Sequence, residues 1–221
     1  MLRPIELPEN LSESAIPQDV VAMISDVRRR VAAFQDRWDV PQIEQFVAAD
    51  YQLVFQTIRW LRETQMLVGN RFIEWGCGFA AVTALAGRLG WQSFGIEAES
   101  TLLAQGLRTI DDWKSEKDWR DDIELFHGDF LPAGSDRLAD DPTLPSLHHG
   151  IATAYDEMAL ELDDFAVVYS YPWPGEDDFH EAVFDGHAAV GAILVHFRGP
   201  NHMAVWRKTA SRRPGVAEGA R

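Results

Sequence analysis

Cysteine is almost absent from this chain: Cys77 is the only one in 221 residues. A single thiol excludes an internal disulfide framework and suits a reducing compartment. Basic residues are scarce as well. Against 35 Asp and Glu there are only 20 Lys and Arg, a formal net charge of -15. A surface that acidic repels phosphate backbones, which speaks against a nucleic-acid partner and tolerates a cationic small molecule or basic peptide. Long apolar runs are missing too. Those around Phe165 to Tyr169 and Gly191 to Val195 are strand-sized, far short of the ~20 residues that span a bilayer. The opening MLRPIELPENLSES has neither the apolar core nor the cleavage site of a signal peptide. These absences predict a soluble cytoplasmic protein with no membrane attachment.

What is present is globular: 46% hydrophobic and 25% charged residues, outside the collagenous and disordered ranges. Residues 1–17, rich in Pro, Glu and Ser, read as a flexible lead-in. Val20, Ile24, Val27, Val31 and Phe34 recur at helical spacing and share one face. Arg28, Arg29 and Arg30 beside them read as a solvated side. Asp39-Val40-Pro41 looks like a helix start, and Tyr51, Val54, Phe55, Ile58 and Leu61 mark a further amphipathic helix ended by Gly69-Asn70. Residues 18–68 are therefore expected to be an all-helical cap.

After Asn70 the texture changes. Strands are predicted at Arg71–Trp75, Gln92–Glu97, Ile123–Phe126, Phe165–Tyr169 and Gly191–Phe197. Helices are expected at Phe79–Leu89, Ser100–Ile110 (with Ser100 as N-cap), Ile151–Leu160 and Glu176–Ala189. Asp112 to Asp122 reads as a charged connection and Ala133 to Gly150 as a loop. A tight turn leads into Met203–Lys208, antiparallel to the strand before it, and 209–221 reads as a disordered tail. Strands alternating with helices imply βαβ units. The expected fold is α/β: a Rossmann-like, doubly wound, mostly parallel sheet over 69–208, with an antiparallel last strand and a helical segment in front.

The chemistry lies between the first strand of that region and its helix, in Glu74-Trp75-Gly76-Cys77-Gly78-Phe79-Ala80-Ala81. Glycines at 76 and 78 allow a sharp turn and let backbone N–H groups face a ligand. Nineteen residues after Gly78 the second strand ends in Glu97, where a carboxylate can accept hydrogen bonds from ribose hydroxyls. As Gly76-x-Gly78-x-x-Ala81 the loop fits a dinucleotide fingerprint and hence an oxidoreductase. With Glu74 in front it resembles the E/D-x-G-x-G signature of the class I S-adenosylmethionine-dependent methyltransferases. The resemblance extends from about 70 to 208. Three features favour this family over a dinucleotide enzyme: an acid inside the strand end, the His127-Gly128-Asp129-Phe130 element, and no room for a substrate domain after the fifth strand. Ala80 stands where the family usually has a third glycine.

The resemblance implies an enzyme with S-adenosylmethionine as cofactor. Glu74 would lie near the methionine ammonium, and Gly76, Cys77 and Gly78 would line the methionine portion. Glu97 would bind the ribose, Asp129 the adenine amine, and Phe130 would pack on the adenine face. Cys77 reads as a packing residue; a turn residue is the lesser alternative for Asp129, and plain core an equal one for Phe130. Ser170-Tyr171-Pro172-Trp173 resembles, by half a motif, the D/N-P-P-Y/F/W element of methyltransferases acting on amino groups. Ser170, Tyr171 and Trp173 are thus the catalytic candidates. With Glu176-Asp177-Asp178 they could wall a cationic amine, although Asp177 or Asp178 also suits a helix N-cap. The acceptor would be a small molecule or a protein side chain. A catalytically silent cofactor-binding protein is the remaining alternative, because an intact cofactor loop stands beside a degraded acceptor element. The seven histidines, including His148-His149, have no metal spacing, and no metal is expected.

Overall fold

The two-residue period of a strand divides the hydrophobic residues between two cores. In β2 (Arg71–Trp75) Phe72 packs to one side of the sheet, while Ile73 and Trp75 pack to the other. A computed structural model describes residues 1–37, 47–115, 122–135, 150–199 and 202–210. Five strands run parallel: β2, β3 (Gln92–Glu97), β4 (Ile123–His127), β5 (Val167–Ser170) and β6 (Ile193–Phe197). β7 (Met203–Lys208) returns antiparallel to β6, as expected. With β1 (Leu2–Pro4) the order is β1-β7-β6-β5-β2-β3-β4 across the described residues.

One face is covered by α1 (Gln18–Gln35), α2 (Tyr51–Thr64), α3 (Ala81–Arg88) and α4 (Ser100–Lys114). The other is covered by α5 (Ala154–Met158) and α6 (Asp177–His187). The periodic residues of α1 and α2 are buried as their spacing predicts. Asp50 caps α2 by accepting from Gln52 N and Leu53 N at 3.1 and 3.3 Å. Arg29 and Arg30 pair with Asp26 on the same helix, and Arg30 also reaches Asp112 at 2.8 Å. No described helix is long and apolar enough to cross a membrane.

Several boundaries differ from the sequence expectation. Residues 1–17 do not read as a loose lead-in here, because β1 pairs with β7 from Leu2↔Lys208 to Pro4↔Trp206. The unpaired edge of β7 supplies the hydrogen bonds that three residues ending in proline could not have advertised. Gln56 then ties the following segment to α2, donating to Ser12 O and Ser14 O at 2.9 and 2.7 Å. α2 stops at Thr64 rather than Gly69, where Gln65 turns extended. α4 runs to Lys114, because Trp113 is buried and its Nε1 donates to Asp26 at 2.9 Å. Ser100 is its first residue and Glu99 its N-cap. α5 is shortened by Ala159, which closes it in a left-handed conformation (φ 52°). The proposed helix start at Asp39-Val40-Pro41, most of the 133–150 loop and the tail from 211 lie outside the described residues.

Candidate functional site

β2 has β3 on one side and β5 on the other, so the chain order reverses at β2. A crevice opens outside the carboxyl ends of strands at such a point. Glu74, Gly76, Cys77 and Gly78 leave β2 there, Glu97 ends β3, Asp129 and Phe130 follow β4, and Ser170 ends β5. Residues far apart in sequence meet because each closes a parallel strand.

The loop after β2 turns through Gly76 (φ 72°) and Gly78 (φ 50°), both in the left-handed region that glycine favours. A Cβ at Gly76 would meet nothing within 4 Å, so the backbone there faces open space. Ala80 also sits at positive φ (57°), a strain of about 1–2 kcal/mol at the place of the family's third glycine. Cys77 N donates to Ile96 O at 2.8 Å, and its side chain lies against Gly95. Burial, then Glu97 and Glu74, push the thiol pKa well up, so it stays protonated and unreactive.

Two buried acids hold the loop and the helix that follows it. Glu97 accepts from Gly78 N at 2.7 Å through Oε2 and from Glu99 N at 2.9 Å through Oε1. Each carboxylate oxygen can accept more than one donor. Glu74 accepts from Thr83 N (2.6 Å) and Thr83 Oγ1 (2.5 Å), both through Oε2. Burial pushes its pKa from 4.5 up to about 8; the Thr83 bonds oppose the rise and Glu97 adds to it. Asp129 Oδ1 accepts from Leu131 N at 3.0 Å, the bond of a turn residue. Phe130 stacks on Trp75 with centroids 4.8 Å apart, so one ring face is already covered. Trp75 in turn donates to Tyr155 Oη at 3.0 Å.

The acceptor candidates separate. Tyr171 (36% exposed) and Trp173 (38%) line a cavity of about 690 Å³ together with Asp177, Asp178, Arg198 and His202. Glu176 fixes the turn: its Oε2 accepts from Trp173 N at 3.1 Å, and its own N–H donates to Trp173 O at 2.9 Å. Asp177 is paired with Arg198 at 2.9 Å. Ser170 is fully buried and does not line that cavity; its Oγ is 3.0 Å from His180 Nδ1. His180 lies on α6, and nothing in the spacing of Ser170 and His180 announces that they meet. Thr83, Tyr51 and Tyr169, which surround Glu74, were equally silent, since tyrosine in an apolar face reads as core. Among the described residues no group of three His, Cys, Asp or Glu could hold a metal ion. His148 and His149 lie outside them.

A candidate RNA methyltransferase from Pyrococcus horikoshii superposes with a TM-score of 0.50 at 10% identity, over 90% of this chain and 100% of that one. An O-methyltransferase from Bacillus cereus, solved with S-adenosylhomocysteine, gives 0.50 at 14% identity over 85% and 70%. The fold is that of the class I methyltransferases. No protein-family model and no curated relative matches the sequence. In a methyltransferase fold the residues present suit a nucleoside with a cationic amino-acid end. Open space lies over Gly76, and the buried Tyr169 hydroxyl beside Glu74 has no hydrogen-bond partner among the described residues.

Proposed function

We propose that this protein is an S-adenosylmethionine-dependent methyltransferase with an amine acceptor. The observation that carries the reading is Glu97, which ends β3 and bonds the glycine loop through Gly78 N. That contact sets the carboxylate assigned to the ribose beside the glycine turn, with a second buried acid, Glu74, near enough to feel its charge. An apolar strand end would suit a dinucleotide better. The cofactor supplies a methyl group activated on a sulfonium. The chain's residues orient the two partners and leave the acceptor nitrogen its lone pair.

On the acceptor side, Tyr171 and Trp173 offer ring faces to a cation. Asp178 has no ion pair among the described residues, whereas Asp177 is neutralised by Arg198. An ammonium held there must lose one proton to solvent before its nitrogen can attack. The same fold serves a candidate RNA methyltransferase and an O-methyltransferase, so architecture does not choose the acceptor. The net charge of -15 favours a cationic one over a phosphate backbone.

The test is mass-spectrometric detection of methyl transfer from S-adenosylmethionine to a panel of primary and secondary amines. The Tyr171→Ala, Trp173→Ala double variant, which removes both ring faces at partly exposed positions, is expected to bind S-adenosylhomocysteine as the parent does and to lose transfer at least about tenfold. Parental turnover in that variant would place the acceptor elsewhere. A second reading, cofactor binding without transfer, is favoured by one observation: Ser170, first residue of the acceptor element, turns its hydroxyl to His180. Under that reading no amine in the panel is methylated although the cofactor binds.

A further inference from the structure

Three oxygen-bearing side chains are brought together beneath the start of α2. Glu74 on β2 and Tyr169 on β5 are register partners, side by side on the sheet. Tyr51, the first residue of α2, packs in the same core as Tyr169. All three are more than nine-tenths buried. The Tyr169 hydroxyl has no hydrogen-bond partner among the described residues. Glu74 uses only Oε2 for Thr83, leaving Oε1 without a bond there. Their proximity shows in their electrostatics. Burial, then Glu74, raise the Tyr51 pKa, with Arg28 opposing; burial, then Glu74, Tyr51 and Tyr171, raise that of Tyr169.

A buried hydroxyl left unpaired costs free energy, and such groups are ordinarily satisfied. Here one carboxylate oxygen and two hydroxyls make three acceptors in one place. A primary ammonium carries three N–H donors and so matches the set in number, and its positive charge opposes the burial that otherwise keeps Glu74 protonated, drawing that carboxyl to its ionised, accepting form. We propose that Tyr51 and Tyr169 complete, with Glu74, the seat of the ammonium at the amino-acid end of the cofactor. The helical segment before the sheet thereby becomes part of the cofactor site rather than an external cap. This inference rests on the S-adenosylmethionine reading and goes beyond it in the residues it assigns.

Two probes isolate that end of the ligand. S-Adenosylhomocysteine carries the amino acid; 5′-methylthioadenosine has the same nucleoside and thioether without it. Calorimetric titration of the wild-type protein, Tyr169→Phe and Tyr51→Phe with both compounds is the experiment. Each variant is expected to bind S-adenosylhomocysteine about tenfold more weakly and 5′-methylthioadenosine unchanged. Equal weakening toward both probes would show a packing defect and overturn the assignment, as would unchanged S-adenosylhomocysteine affinity. A wild-type protein that binds the two equally well would also overturn it while leaving the nucleoside site intact. Binding of neither by the wild type would overturn the cofactor reading itself.

Discussion

Glu97→Ala is expected to weaken S-adenosylhomocysteine at least about a hundredfold and to cost the fold about 2–4 kcal/mol. The two effects share one origin. The carboxylate binds the loop through Gly78 N and the turn into α4 through Glu99 N, at 2.7 and 2.9 Å. Alanine leaves both donors without their acceptor, and an orphaned donor in a buried site costs about 1–3 kcal/mol. It also removes the group proposed to accept from the ribose and releases the glycine loop that shapes the crevice. At about 2–4 °C per kcal/mol for a chain of this length, melting should fall by roughly 5–15 °C. Glu97→Gln keeps one acceptor oxygen but turns an amide donor toward a backbone N–H, so it should fall between. Thermal melts and calorimetry of both variants check this. An alanine variant with parental melting and affinity would reduce Glu97 to a surface acid.

Glu74→Gln should remove a pH dependence from stability. Folding raises the Glu74 pKa from 4.5 to about 8 through burial. Between those values the folded carboxyl holds a proton that the unfolded one has released. Its stabilising contribution is therefore complete below about 4.5 and is lost as pH rises through about 8, at about 1.4 kcal/mol per pH unit. Glutamine cannot titrate, and its amide oxygen can still accept both Thr83 bonds. The stability difference between variant and parent should move in the variant's favour by roughly 2–3 kcal/mol from pH 5 to pH 7. Denaturant midpoints across that range measure it, other groups cancelling in the difference. Parallel profiles would mean that Glu74 stays ionised when buried.

The residues read from the sequence for a cofactor side come together because they occupy positions that strand geometry alone defines. Glu74 stands one residue before the end of β2 with Gly76 just beyond, and Glu97 ends β3; in a parallel sheet such ends face one crevice. The same local logic located β2, β3 and β7. It did not reach what depends on pairing between distant segments. β1 exists because β7 has an open edge. Tyr169 lies beside Glu74 through strand register, and Tyr51, at the start of α2, comes within electrostatic reach of both. Ser170 seemed an acceptor residue by its place in a motif, yet a histidine ten residues on takes its hydroxyl.

The crevice at the ends of β2 and β3 is proposed to take the sulfonium cofactor and not a dinucleotide. Calorimetric titration of one wild-type preparation with S-adenosylhomocysteine and, separately, with NAD tests it most directly. Saturable binding of S-adenosylhomocysteine at micromolar affinity, with none of NAD over the same range, is the predicted result. Binding of NAD with none of S-adenosylhomocysteine would make the crevice a dinucleotide site instead.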